Sequence, residues 1–118
     1  TREDCARTAA AALAAATGRE IHDVGGPAAV TQDEVASIVS ELTGRQVAHV
    51  AVGAEELKQG LLGAGLPPFL VEALAAFDVA AAQGYHALVT PTVQELTGTA
   101  PTSVRAFLTA HRAALLPG

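Results

Sequence analysis

No tryptophan occurs in this chain, and one tyrosine and three phenylalanines are all its aromatic residues. A core without large rings removes little area from water per buried position, at roughly 25 cal/mol per Å². Alanine runs stand in their place, as in TAAAALAAATG at 8–18. Alanine favours helix strongly and packs closely, but it adds little grip. Basic residues are also sparse: Lys58 is the one lysine, and seven Lys and Arg face twelve Asp and Glu for a formal net charge of −5. That balance excludes the clustered positive surface that nucleic acid or an anionic membrane requires. Cys5 has no second cysteine to join, which rules out an internal disulfide and a cysteine-built zinc site. No apolar run reaches the length of about 18 residues that would suggest a membrane span, and no leader pattern is visible. A cytoplasmic location is expected.

The chemistry-bearing residues are as scattered as the charges. His22, His49, His86 and His111 show neither i, i+4 pairing nor H-E-x-x-H spacing, so no metal site is expected. His111 lies on an apolar helix face and His22 beside Asp23, placements that suit packing and a strand-end polar contact. Ser37, Ser40 and Ser103 sit in helical contexts without a nucleophile elbow. Asp78, within an apolar helix, is either a pocket acid with a raised pKa or a partly exposed surface carboxylate.

What is present is a series of well-punctuated helices. In DVGGPAAVTQDEVASIVSELTGRQV (23–47), a glycine turn leads to a helix, the order found where nucleotide-binding proteins hold phosphate. Here Pro27 has no N–H to offer, and three residues intervene before the capping box of Thr31 and Glu34. The Gly25-Gly26-Pro27 turn therefore reads as a change of direction after a strand. Helices are expected over 2–17 (Thr1 cap, Gly18 stop), from Thr31 to Gly44, over 54–63, and over 67–83 with a stop at Gly84. Thr92, with Glu95 as a second capping box, opens another, and Thr102 caps the last. EIHDV at 20–24 and VAHVAV at 47–52 alternate as short strands. Two parallel strands with five or six helices make an α/β chain whose sheet cannot stand alone.

REDCARTAAAAL, GGPAAVTQDEVASIVSELTGRQV, GAGLPPFLVEALAAFDVAAAQGY and TPTVQELTGTAPTSVRAFLTAH, in that order, resemble the C-terminal part of the NmrA-like, atypical short-chain dehydrogenase/reductase family. The likeness points to its NAD(P)H-dependent quinone oxidoreductase-type members. The resemblance implies a Rossmann-type protein whose N-terminal half carries the glycine-rich cofactor loop, while the C-terminal part adds a strand and walls the substrate. It implies that 1–118 is a single, mostly helical substrate-side segment, inactive without that Rossmann half or a partner chain supplying it. NAD(P)H is the implied cofactor, and its main binding loop is absent from this chain: neither G-x-G-x-x-G nor G-x-x-G-x-x-G occurs. The usual Tyr–Lys dyad is missing too, since Val89 stands four residues after Tyr85, and catalytic residues stay unassigned.

Helix 67–83 carries only Glu72 and Asp78 as charges, so it is normally covered on several sides or faces a cavity. Leu66, Pro67, Phe69, Leu70, Phe77 and Tyr85 could form a flat apolar slot for a small apolar or quinone-like acceptor, or they could be core. The other readings are a non-catalytic NAD(P)-sensing regulator of the same fold and a stand-alone helical interaction module. Alanine richness from a biased genome is a further explanation for the composition.

Overall fold

The computed structural model describes residues 1–116, and every regular element in them is helical. In chain order these are α1 (Arg2–Ala15), α2 (Gln32–Thr43), α3 (Ala54–Gly63), α4 (Pro68–Ala82), α5 (Thr92–Thr97) and α6 (Val104–Ala110), followed by a 3₁₀ turn at Arg112–Leu115. The chain gathers into two compact units. One is Thr1–His49 with the chain from Leu88 onward, and the other is Val50–Ala87.

In the first unit α1 packs on α5, and α2 packs on α6 and the 3₁₀ turn. α1 starts on a capping box in which the Asp4 amide donates to Thr1 Oγ1 at 3.1 Å. The same Asp4 side chain is buried and reaches across the unit, accepting from the Thr102 amide (2.9 Å) and hydroxyl (3.2 Å). Arg7 donates to Asp4 at 2.6 Å and to the Ala100 carbonyl at 2.9 Å. Burial opposes the charge on Asp4, but the hydrogen bonds from Thr102, Thr1 and Arg7 outweigh it and hold the carboxyl well below the usual aspartate range. α2 opens on the Thr31–Glu34 capping box and closes at Gly44, whose φ of 72° is the left-handed stop that glycine takes without strain.

In the second unit α3 and α4 form a helical hairpin. Its seam is thin: Val71 and Ala75 of α4 are buried, and no residue of α3 is. In the whole described chain the buried apolar residues are Ile38, Val71, Ala75 and Val93. Two separately closed globules of these lengths would together expose about 7,000 Å². This chain exposes 8370 Å², and large apolar side chains such as Leu13, Ile21 and Phe69 are among the exposed residues.

Several expectations are corrected. No strand forms among the described residues; 19–26 and 46–53 carry no regular structure. A strand is made by its hydrogen-bonded neighbour, and neither segment has one here. Segment 47 is tied instead to α2, with the Val47 amide donating to Ser40 Oγ at 2.9 Å. α1 ends at Ala15 and Gly18 does not cap it. α5 follows Pro91 with no side-chain cap, so Thr92 and Glu95 make no capping box. Ser103, not Thr102, caps α6 by accepting from the Ala106 amide, because Thr102 is spent on Asp4. His22 makes its polar contact with Glu20, at 3.1 Å, and not at the end of a strand.

Candidate functional site

α4 begins cleanly because Pro67 and Pro68 supply the fixed φ that a helix start needs and have no amide to leave unsatisfied. Once it runs, its residues divide by phase. Val71 and Ala75 are buried in the hairpin. Phe69, Leu70, Ala73 and Phe77, at i, i+1, i+4 and i+8, share another face and are all exposed, Phe69 to 77% and Phe77 to 60%. No charged residue interrupts that face.

The six slot candidates do not all meet. Leu66 and Pro67 precede the first turn, and Tyr85 follows the last, a separation of more than about 20 Å along a helix of this length. Leu66 is half-buried, as suits its place just after Gly65 (φ 84°) in the motif that closes α3, where its amide donates to the Leu61 carbonyl at 3.2 Å. Leu70 and Phe77 lie two turns apart, about 10 Å, with Ala73 between them as a low floor. That span suits a fused two-ring molecule lying flat.

The C-terminal end of α4 folds back toward this floor. Gly84, at φ 86°, lets the Tyr85 amide return to the Ala80 carbonyl (3.1 Å) and the Gly84 amide to Ala81 (2.9 Å), a Schellman closure. The next turn is closed by the Ala87 amide on the Gly84 carbonyl at 3.1 Å. It sets the His86 ring 6.4 Å from the Phe77 ring, centre to centre, at a tilt of 44°. Sequence spacing did not single out His86, since the contact depends on the turn after Gly84.

Two hollows lie elsewhere. A hollow of about 310 Å³ in the hairpin is lined by Ala54, Ala75, Ala76 and Ala80 with Lys58 and Glu72, and by none of the six candidates. Another of about 420 Å³ in the first unit is lined by Ala28, Ala29, Val30, Asp33, Glu34 and Arg105 among others. Its carboxylates lie beside the Gly-Gly-Pro turn, which is the wrong sign for a phosphate. The turn itself does not fit a dinucleotide either: the Gly25 amide donates to Thr90 Oγ1 at 3.1 Å, and a Cβ at Gly25 would meet the Leu88 carbonyl at 2.9 Å. Gly25 is there to let the 88–90 backbone approach.

Asp78 is exposed. Among the described residues no group of three or more His, Cys, Asp or Glu could hold a metal, and no helix is long and apolar enough to cross a membrane.

No family model matches the chain. It is 35% identical over 112 residues to the uncharacterized oxidoreductase YesF of Bacillus subtilis, covering 94% of this chain and 39% of that protein. To the NAD(P)H azoreductase of Xenophilus azovorans it is 36% identical over 95 residues, covering 80% and 33% respectively. The crystal structure of an NADPH-dependent quinone oxidoreductase from Escherichia coli superposes with a TM-score of 0.86 at 27% identity, over 94% of this chain and 40% of that one. The chain thus spans about two fifths or less of the length of these relatives.

Proposed function

We propose that this chain is the C-terminal, acceptor-side portion of an NmrA-like, NAD(P)H-dependent oxidoreductase that reduces a quinone-like molecule. The observation that carries the proposal is the uncharged face of α4, where Leu70, Ala73 and Phe77 make a flat floor with Phe69 beside it. Kinship with reductases named for quinone and azo acceptors supports the same acceptor chemistry.

In this reading the nicotinamide is held by residues outside this stretch, in the rest of the same protein or on a partner chain, and 1–118 alone turns over nothing. Its own residues bind and orient the acceptor. Phe77 stacks on the ring, Leu70 and Ala73 set its depth, and Leu66, Pro67, Phe69 and Tyr85 border the floor at its two ends and keep water from it. Such a site needs proximity and shape more than a proton relay.

The test is Phe77→Ala and Phe69→Ala in the full-length protein. Phe77→Ala is expected to raise KM for 1,4-naphthoquinone about tenfold, the loss of one aromatic contact, with NADPH affinity unchanged. Phe69→Ala should act in the same direction but more weakly. If the two rings serve the acceptor rather than the packing of the full-length protein, melting temperature should hardly move. A large fall in stability, with acceptor and cofactor parameters declining together, would make the rings core and end the proposal.

A further inference from the structure

We infer that His86 is the polar end of this acceptor site, donating a hydrogen bond to a carbonyl oxygen of the ring that lies on Phe77. The inference rests on the acceptor reading above and deepens it, adding a donor to a floor that is otherwise apolar.

The first support is what the other histidines do. His22 spends Nε2 on Glu20 (3.1 Å), His49 spends Nδ1 on Asp33 (3.2 Å), and His111 spends Nδ1 on the Phe107 carbonyl (2.8 Å) while stacking on the Phe107 ring at 4.2 Å. Among the described residues, His86 is the histidine whose ring nitrogens make no hydrogen bond. The second is how firmly it is placed. The Schellman closure on one side and the Gly84–Ala87 turn on the other fix its backbone, and its ring rests against Phe77 at a tilt.

The chemistry matches an oxygen acceptor. A quinone has its oxygens at the ring edge, in the ring plane, so a ring stacked on Phe77 presents an oxygen sideways rather than downward. An imidazole whose centre is 6.4 Å from that of Phe77 is close enough to meet such an oxygen. Either neutral tautomer keeps one N–H, so the donor needs no protonation and serves across the neutral pH range. The oxygen gains negative charge as the ring is reduced, and a fixed donor helps most at that moment.

The experiment uses the full-length protein with His86→Phe, which keeps a flat ring against Phe77 but removes the N–H, and His86→Gln, which restores a donor. KM and kcat for 1,4-naphthoquinone, its affinity by calorimetry without NADPH, and NADPH affinity are measured on each. His86→Phe should weaken naphthoquinone binding about three- to tenfold, the worth of one neutral hydrogen bond, and lower kcat, with NADPH affinity unchanged and with His86→Gln recovering most of the loss. If His86→Phe matches the wild type while Phe77→Ala raises KM, the role of His86 is overturned and the acceptor reading stands. If neither variant moves KM, both fall. The same loss at Tyr85→Phe with none at His86 would give the donor role to the phenol and overturn the assignment.

Discussion

Two ion pairs in this chain have the same length, but their carboxylates lie in opposite surroundings. Arg7 reaches Asp4 at 2.6 Å and Lys58 reaches Glu72 at 2.6 Å, but the Asp4 side chain is 5% exposed and that of Glu72 is 67% exposed. Asp4 also joins two stretches of chain 98 residues apart through Thr102. Glu72 joins two neighbouring helices and nothing else. The difference separates the units by what holds them. The first turns polar side chains of α1 inward, Asp4 and Thr8, and is fastened by directed hydrogen bonds. The second is a thin alanine and valine seam, with its large rings left outside. A unit fastened by polar contacts need not spend its apolar groups on stability, and a hairpin that leaves its rings exposed has them free for a ligand.

The sharpest way to break this comparison is Asp4→Ala. It leaves the Thr102 amide and the Arg7 guanidinium without their shared acceptor in a buried place, where Arg7 Nε already lacks a partner. A loss of about 2–3 kcal/mol is expected, read as a lower melting temperature of the full-length protein. The pH dependence has a fixed sign. Because the folded pKa of Asp4 lies below its ordinary value, its contribution is complete above the usual aspartate range near 4 and is lost as pH falls below that range. Asp4→Ala should remove that part of the acid sensitivity.

A second break targets the other long-range tie of the first unit. Thr90 Oγ1 accepts from the Gly25 amide and donates to the Asp23 carbonyl at 2.8 Å, binding segments 65 and 67 residues apart. Gly25→Ala would push a methyl group into the backbone at Leu88 and Thr90, which cannot rotate away as a side chain would. About 1–3 kcal/mol of destabilisation is expected. Gly26→Ala, where the added carbon would meet only the Ala28 carbonyl at 3.9 Å, should cost much less, and equal losses at the two glycines would refute the close-approach explanation.

These ties also explain what the sequence could and could not reveal. The Thr31–Glu34 cap, the stops at Gly44 and Gly84 and the proline start of α4 were legible because each is settled within a few residues. The role of Thr102 was not: its hydroxyl looks like a helix cap until Asp4, far away in the chain, claims it. The segments at 20–24 and 47–52 alternate like strands, yet alternation specifies a face and not a neighbour, and none of the described residues pairs with them. For the candidate site, the lack of charge along α4 was visible from composition and spacing. Its division into a buried seam and an exposed aromatic face was not, and neither was the return of His86 onto Phe77, which depends on the left-handed Gly84.

The smallest expected effect closes the comparison from the other side. In Lys58→Gln the hairpin loses its Lys–Glu pair while keeping a side chain of similar length. The hydrogen bond to Glu72 raises the Lys58 pKa against an opposing burial effect, so any stabilisation is present at neutral pH and would be lost as pH rises through that raised value. Glu72 faces solvent and Lys58 is partly exposed, however, and holding two flexible side chains in one geometry costs entropy that offsets the attraction. The melting temperature of Lys58→Gln should therefore match the wild type at physiological salt, and adding salt should change the two proteins equally. A clear destabilisation that high salt erases would mean that this pair fastens the hairpin as Asp4 fastens the first unit, and that the rings of α4 are not exposed on a hairpin held by its apolar seam alone.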